Sequence, residues 1–303
     1  MSVCNSASDG NASVLVALFR TVTQLGELDR DELLEFCAPT TLTDRAQSTQ
    51  GKAAEKTLNT WTEVGLFCQE KNKIRIDDDF VLENRALGAS LDHIRRSVRK
   101  VIMLPENNDN FWENEKNRAA DLTRGLAWAM CQDVFTKFFN PHAPLQEEEM
   151  KQMNYATKEL CVFRNDTRWS SFKYWAQLLG FAWTDSTGTL QIDPTLAVRD
   201  VLEDLLEDGE EISLGDFRSK LAEKLPVLDD GVYWKKVREH IDPSIVPKVG
   251  KKRLSPALSR ALVRLDSAEE IRLKQISDAE PFSLSCPAEL THSHLVRMGS
   301  WGT

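Results

Sequence analysis

The sequence predicts a mainly α-helical fold with small β-hairpins, organised as tandem winged helix-turn-helix units. Two observations carry this prediction: a series of helical periods near the N-terminus that ends in an alternating hairpin, and a second copy of that ending in the middle of the chain. A length of 303 residues fits roughly two to three domains. A hydrophobic content of 41% and a charged content of 28% are ordinary for globular proteins and exclude wholesale disorder.

The first winged-helix domain, placed at 1–82, begins with three predicted helices. Apolar residues recur at helical spacing over 14–25. A short second helix is capped by Asp29 and stopped by Pro39. After a polar stretch, the spacing of apolar residues predicts a third helix over 51–64.

A β-hairpin is predicted directly after the third helix. The apolar segment 66–68, the polar turn 70–72 and the alternating segment 73–77 indicate two antiparallel strands with a polar tip. Three helices followed by such a hairpin are typical of a winged helix-turn-helix.

A second copy of the hairpin makes the prediction stronger. The segment Ile-Arg-Ile-Asp at 74–77 reappears as Leu-Gln-Ile-Asp at 190–193, and each follows a helix end that contains a tryptophan, Trp61 or Trp175. Internal similarity of this kind implies a repeated supersecondary unit. We therefore place a second winged-helix domain at 117–193.

The remaining segments complete a five-part division of the chain. Helices at 119–137 and 147–162 are expected to precede the second hairpin. An amphipathic linker helix is predicted at 83–116, and an aperiodic C-terminal tail of loop at 281–303. A third helical, winged-helix-like domain is predicted at 194–280. Its expected elements are helices at 196–206, 214–225 and 256–265 and a strand at 270–277.

The cysteines and the first residues bear on the compartment. The six cysteines are scattered, and no pair has the spacing of a zinc finger, which favours a reducing environment. Residues 1–10 carry no Lys or Arg, and the apolar run at 14–19 is too short for a signal peptide or a membrane span. We expect a cytoplasmic protein without a membrane partner.

Positive charge is concentrated locally in an acidic chain. Lys and Arg number 38 against 47 Asp and Glu, and the net charge of −9 excludes a general polycation. Bases at the turn before a third helix, and along it, stand where a helix-turn-helix contacts phosphates, so we predict double-stranded DNA as their partner. The alternative is a solvated stripe balanced by the acidic run at 203–211. The segment 243–265 contains no acid and six bases: Lys248, Lys251, Lys252, Arg253, Arg260 and Arg264.

A second concentration of bases lies on the predicted linker helix, where apolar residues alternate with them at helical spacing. Its candidate DNA contacts are Arg95, Arg96, Arg99 and Lys100. On the exposed side of the first domain's third helix, Lys52 and Lys56 are further candidates, and Glu63 opposes them by repelling phosphate. The alternative interpretation of both sets is an exposed polar face without a ligand.

Motifs of common enzyme chemistry are missing from the sequence. It contains no phosphate-binding Gly-x-x-x-x-Gly-Lys loop, no Gly-x-Gly-x-x-Gly, no Gly-x-Ser-x-Gly elbow and no His-Glu-x-x-His. The pair His292 and His294 has a ligand-like spacing but lies on the aperiodic tail, and Asp77–Asp79 is better explained as a solvated turn. We expect no catalytic residue, no metal and no cofactor, and hence a non-enzymatic protein.

Three segments resemble the DpdG family: 5–18, the turn at 225–231, and 254–279. That family belongs to bacterial gene clusters that insert 7-deazaguanine bases into DNA and restrict unmodified DNA. The resemblance implies a component of the restriction side of such an antiviral defence system. It brings no catalytic residues with it.

These observations give one leading hypothesis and two alternatives. The leading hypothesis is a non-enzymatic DNA-binding or adaptor component of a restriction system, which docks DNA through its basic patches and recruits partner subunits such as a helicase or nuclease. One alternative is a pure protein–protein scaffold, which the net charge favours. The other is a transcriptional regulator of its own gene cluster, which requires a dimer and two half-sites a helical turn apart.

Overall fold

The computed structural model describes residues 2–4, 12–41, 49–113, 117–137, 139, 142–288 and 290–299. Within these ranges the fold combines helices with small antiparallel sheets, as the sequence predicts. The N-terminal part of the segment 5–18 and most of the polar stretch before the third helix lie outside the described residues.

The helices and strands follow each other in the order that their numbers give. The helices are α1 (Ala12–Leu25), α2 (Arg30–Cys37), α3 (Thr49–Val64), α4 (Arg85–Gly88), α5 (Leu91–Ile102), α6 (Ala120–Met130), α7 (His142–Gln152), α8 (Asp166–Leu178), α9 (Thr195–Leu205), α10 (Leu214–Lys224), α11 (Val232–Arg238) and α12 (Pro256–Ser267). The strands are β1 (Leu28–Asp29), β2 (Phe67–Glu70), β3 (Lys73–Ile76), β4 (Ala182–Thr184), β5 (Leu190–Ile192), β6 (Glu211–Ser213), β7 (Ile271–Lys274), β8 (Phe282–Ser283), β9 (Thr291–His292) and β10 (His294–Arg297).

The chain divides into two compact units. Unit 1 comprises Met1–Thr123 and Val162–Leu179, and unit 2 comprises Arg124–Cys161 and Gly180–Thr303. Elements that the sequence assigned to one domain at 117–193 are therefore distributed over both units. The five-part division of the chain stays a prediction.

Unit 1 contains the three N-terminal helices and the hairpin at the predicted places. Asp29 caps α2, and its side chain accepts a hydrogen bond from the backbone N–H of Asp31 at 2.9 Å. In the hairpin, Phe67 pairs with Ile76. The short strand β1 adds to the other side of β3, which gives the order β1–β3–β2. Leu58 and Trp61 of α3 are fully buried in the core of this unit.

A buried ion pair lies beneath the first residues of unit 1. The side chains of Asp121 and Arg168 are both 0% exposed, and Arg168 Nη1 lies 3.1 Å from Asp121 Oδ2. The hydroxyl of Ser2 donates to the same carboxylate oxygen. Val3 donates its N–H to the carbonyl of Arg118 at 2.9 Å. The buried carboxylate is thus shared between a guanidinium and a hydroxyl.

Unit 2 is built around α12, which packs against α9 and β7. The predicted inward residues of α12, Leu258, Leu262 and Leu265, are all fully buried. Ser255 caps the helix by accepting a hydrogen bond from the N–H of Leu258 at 3.1 Å. A three-stranded antiparallel sheet in the order β6–β10–β7 and the hairpin β4–β5 belong to the same unit.

The predicted extents of two helices are wrong. The helix expected over 119–137 ends at Met130, because Asp133 begins a turn in which its carboxylate accepts hydrogen bonds from Phe135 and Thr136. The helix expected over 147–162 is displaced toward the N-terminus and ends at Gln152. Local side-chain hydrogen bonds of this kind compete with the helical ladder.

The prediction of an aperiodic loop over 281–303 is wrong where the chain forms strands. This segment contains β8, β9 and β10, and β10 is the central strand of the β6–β10–β7 sheet. Leu295 pairs with Ile212 on one side and with Leu273 on the other, and its side chain is fully buried. A four-residue strand is too short for its alternation to stand out in the sequence.

The cysteines differ in how deeply the fold buries their side chains. No two of the six cysteines, all of which lie in the described ranges, are joined by a disulfide, and Cys4, Cys131 and Cys161 are buried. Burial is also the main cause that raises the pKa of Cys161 to about 12.

None of the helices in the described ranges has the length and hydropathy of a membrane-spanning segment.

Replacing Leu295 by Ala is expected to lower the unfolding free energy of unit 2 by about 2–5 kcal/mol, because the change leaves a cavity at the centre of the sheet. Urea denaturation followed by circular dichroism measures the loss. The matched control is Leu160→Ala in the same unit, since that leucine is 37% exposed. Equal losses in the two variants would contradict a central position for β10.

Replacing Arg168 by Met is expected to destabilise unit 1 by about 3–5 kcal/mol, because Asp121 then stays buried without its counter-charge. Adding Asp121→Asn to the same protein is expected to restore part of that loss. Chemical denaturation of the two variants measures both effects. A double variant no more stable than Arg168→Met would show that the ion pair is not what the single change breaks.

Candidate nucleic-acid interface

The strongest candidate interface is the segment 248–253 between α11 and α12, which we call the basic loop. Gly250 and Arg253 exchange backbone hydrogen bonds of 3.2 and 3.3 Å, which closes a tight turn. Lys251 and Lys252 lie at the tip of this turn. The loop carries four of the predicted bases, all exposed: Lys248, Lys251, Lys252 and Arg253.

Arg218 of α10 holds the basic loop in place. Its Nη1 donates to the carbonyl of Gly250 at 2.9 Å, and its Nη2 donates to the carbonyl of Lys251 at 3.3 Å. Its Nε lies 2.7 Å from a carboxylate oxygen of Asp230. The guanidinium also lies over the ring of Phe282, 5.4 Å from the centroid. One side chain therefore fixes the backbone from which the bases project.

The two ends of the loop are anchored separately. Before it, Arg238 Nη2 donates to the carbonyl of Pro247 at 2.8 Å. After it, Asp229 Oδ2 accepts the N–H of Ser255 at 2.7 Å. Asp229 is 2% exposed, and this burial raises the pKa of its carboxyl. The loop is thus exposed in its side chains and restrained in its main chain.

The four loop bases differ in what they contact. Lys252 forms an ion pair with Glu280. Arg253 Nε donates to the hydroxyl of Ser285 at 3.1 Å. Among the described residues, neither Lys248 nor Lys251 forms an ion pair. These two ammonium groups are the most available charges of the loop.

The first predicted base of α12, Arg260, makes its contacts inside unit 2. It donates to the carbonyls of Ile192 at 2.7 Å and Val134 at 2.6 Å. Its guanidinium also lies over the ring of Phe135, 4.6 Å from the centroid, and burial lowers the pKa of that guanidinium.

Arg264 is also engaged within unit 2. It forms an ion pair with Asp193 and lies 5.8 Å from the ring centroid of Trp183. The structure therefore gives both α12 arginines partners within the unit, whereas the tip of the basic loop carries lysines.

The α5 bases of unit 1 fall into two pairs. Arg95 and Arg99 are 6% and 3% exposed, and Arg99 donates to the carbonyl of Leu179 at 2.9 Å. Arg96 and Lys100 lie on the exposed face, where the ammonium group of Lys100 is 5.4 Å from the ring centroid of Phe80. Of these four bases, only the second pair projects from the surface of unit 1.

On α3, Lys52 and Lys56 are exposed as predicted, and Glu63 is exposed as well. The same helix carries Glu55, which forms a 3.1 Å ion pair with Arg30. This face therefore mixes both signs of charge.

The two residue groups considered as metal ligands, His292 with His294 and Asp77–Asp79, lie in different parts of the fold. His292 lies on β9 and His294 on β10. Asp77 caps a short 3₁₀ turn by accepting the N–H of Asp79 at 3.1 Å. Within the ranges that the structure describes, no three His, Cys, Asp or Glu side chains are grouped to hold a metal ion.

Sequence reasoning did not identify Arg218 or Arg238 as parts of this site. Each is a single arginine on a helix, and each acts on main-chain carbonyls, which have no sequence signature. The signal that does exist is indirect: a loop with four bases needs restraining contacts if it is to keep one conformation.

A family model described as DpdG-like matches residues 1–279. No curated protein and no solved structure matches the chain. The matched range contains every predicted DNA-contact residue and ends before β8, β9 and β10.

Replacing Arg218 by Ala is expected to speed tryptic cleavage after Lys251 and Lys252 by about tenfold. Hydrogen bonds from a charged donor contribute about 1.5–3 kcal/mol, and cleavage follows the population of the open loop. Timed proteolysis with mass spectrometry measures the rate. The control is Arg272→Ala, which removes an exposed arginine of β7. An unchanged cleavage rate in Arg218→Ala would contradict the anchoring role.

Proposed function

The chain belongs to the DpdG-like family, which associates it with the Dpd modification and defence cluster of the 7-deazaguanine DNA system. From this premise we propose that it is a non-enzymatic component of that system, which docks double-stranded DNA and acts as an adaptor for partner subunits in the cytoplasm. The single observation that carries the DNA part is the basic loop, an exposed turn with four bases whose backbone Arg218 restrains.

We infer a winged-helix arrangement in each unit from the order and pairing of its strands. In unit 1, β1 precedes α2 and pairs with β3, the second strand of the hairpin. In unit 2, β6 precedes α10 and pairs with β10 in the same way. Both sheets thus place the last strand in the centre, between the strand before the second helix and the first strand of the wing. Helix-turn-helix proteins of this kind commonly use the elements around the third helix to contact DNA.

The position of the basic loop suits backbone contact rather than base recognition. It lies shortly before α12, the helix that precedes strand β7, and α12 itself is mostly buried. Lysine ammonium groups on a restrained loop can reach phosphates, and phosphate contacts carry little sequence information. We therefore infer sequence-independent docking, which is what a defence component acting on diverse foreign DNA requires.

Unit 1 offers a second set of charges for the same proposal. Arg96 and Lys100 of α5 and Lys52 and Lys56 of α3 are exposed. The buried members of α5, by contrast, are engaged within the unit. Of the predicted DNA contacts in unit 1, we therefore propose the exposed residues rather than the buried ones.

The adaptor part rests on exposed apolar side chains in the segment 81–91 of unit 1. Val81, Leu82, Leu87 and Leu91 are 55%, 41%, 59% and 44% exposed. Several large apolar side chains exposed along one segment mark a surface for another protein. A helicase or nuclease subunit of the same system is the partner class that we propose for it.

Two alternatives are separated from this proposal by simple measurements. A pure scaffold would show no salt-dependent DNA binding. A regulator of its own cluster would be a dimer in light scattering and would require a two-fold symmetric site.

Reversing Lys248 and Lys251 to Glu is expected to weaken binding to a random 30-mer duplex by at least about tenfold at low salt. The slope of log K against log salt should also become shallower by about 0.9 for each phosphate that the protein no longer neutralises. Fluorescence anisotropy at several salt concentrations measures both quantities. The matched control is Lys158→Glu with Lys235→Glu, which makes the same charge change at two other exposed lysines of unit 2.

Two outcomes decide the DNA part. Weaker binding in the loop variant alone supports docking through the basic loop. Equal binding in the loop variant, the control and the parent protein would overturn it and favour the scaffold.

A further inference from the structure

A groove opens beside the basic loop in unit 2. Its volume is about 460 Å³, within the range of pockets that hold small organic ligands. Its lining includes Phe135, Lys248, Arg253, Ser285 and Cys286, together with Asp133. These residues come from the turn after α6, the loop before α12 and the segment after β8.

One part of the lining is cationic. Lys248 and Arg253 are both exposed, and the bond from Arg253 Nε to the hydroxyl of Ser285 fixes the direction of that guanidinium. Pro256 is the first residue of α12, so the positive end of a 12-residue helix lies at the same place. A guanidinium, an ammonium group and a helix N-terminus together favour an anion such as a phosphate.

One acid opposes them, but its oxygens are already engaged. Asp133 Oδ1 accepts the N–H of Phe135 at 3.1 Å, and Oδ2 accepts the hydroxyl of Thr136 at 2.9 Å. The two bases exceed this single carboxylate, so the lining has a net positive charge.

The other part of the lining is apolar. It consists of the ring of Phe135 together with three prolines, whose restricted backbones give a stiff wall. The guanidinium of Arg260 lies 4.6 Å from the Phe135 ring centroid and is itself held by two carbonyls. Phe135 is therefore a positioned aromatic surface, and such rings stack with nucleobases.

We propose that this groove binds one nucleotide, with its phosphate against Lys248 and Arg253 and its base against Phe135. The proposal rests on the proposed function, because Lys248 and Arg253 belong to both surfaces. It adds a defined ligand class to a loop that would otherwise contact only the DNA backbone. The nucleotide can come from two sources, either a free nucleotide or an unpaired nucleotide at the end of a DNA strand.

Cys286 provides a local reporter, because it lines the groove and is half-buried. Alkylation by N-ethylmaleimide is timed with and without thymidine 5′-monophosphate, and the modified cysteines are identified by mass spectrometry. At a nucleotide concentration about ten times Kd, mass action predicts a slowing of Cys286 alkylation by about tenfold. The half-buried Cys37 and Cys68 of unit 1 are internal controls and should react at unchanged rates.

Two variants test the assigned contacts. Phe135→Leu removes the ring, and Arg253→Gln removes the charge while keeping a donor for Ser285. Each is expected to abolish protection of Cys286 by thymidine 5′-monophosphate, whereas Lys235→Gln, at an exposed lysine of α11, should keep it. Thermal melting verifies that each variant is folded, and a variant that melts early is replaced by the other.

Comparing several ligands distinguishes a free nucleotide from a strand end, and shows how much the phosphate contributes to binding. Thymidine without phosphate should protect at least about tenfold more weakly, because it lacks the charged contacts. Protection of Cys286 by a 5′-phosphorylated single strand but not by a blunt duplex would identify a strand end as the source. Protection by the monophosphate alone would identify a free nucleotide as the source. Equal protection by thymidine and its phosphate, or protection by no nucleotide at millimolar concentration, would overturn the proposal.

Failure here is distinguishable from failure of DNA docking. Lys251 belongs to the basic loop but does not line the groove, whereas Phe135 lines the groove but lies outside the loop. Loss of duplex binding in Lys251→Glu with no nucleotide protection of Cys286 would reject the groove and leave DNA docking standing. Protection of Cys286 by the nucleotide, together with duplex binding that Lys251→Glu leaves unchanged, would support the groove and reject DNA docking through the basic loop.

Discussion

The arrangement of charge in this protein follows from the cost of taking a guanidinium out of water, which is tolerable only where oxygen acceptors receive its N–H groups. Arg99 and Arg260 use main-chain carbonyls, and Arg168 uses a buried carboxylate. Part of the positive charge counted in the sequence is therefore not available for a ligand. Lysines, which are more often left at the surface, carry most of the candidate interface.

Sequence reasoning succeeded where the determining contacts are local. The helices α1 to α3, the hairpin β2–β3 and the inward face of α12 all follow from periodicity within one element, and the structure confirms them. It failed where distant residues decide. Strand β10 exists because β6 and β7 both supply hydrogen-bonding partners, and four residues alone do not reveal that. The end of α6 is a different case, because the contact that decides it is local: the Asp133 carboxylate accepts hydrogen bonds from Phe135 and Thr136 and stabilises a turn.

The candidate site shows the same division between local and distant information. The bases of the loop could be counted directly, and the structure places all four at the surface. Their support could not be predicted, because Arg218 contacts backbone atoms and lies on another helix. For α5 the period of the helix predicted an apolar face, but Arg95 and Arg99 stand four residues apart beside it and are buried with it. Which basic residues are buried depends on partners that no pattern within the helix specifies.

The central place of β10 also has a consequence for biosynthesis. On the ribosome β6 and β7 are made before β10, yet in the finished sheet each pairs with β10 rather than with the other. Translation at about 5–20 residues per second leaves β6 without a neighbour for several seconds. During that time the two strands expose unsatisfied edges, which are prone to pair with other chains. Unit 2 should therefore fold late and in one step, and chaperone binding to the nascent chain would be concentrated in the stretch between β6 and β10.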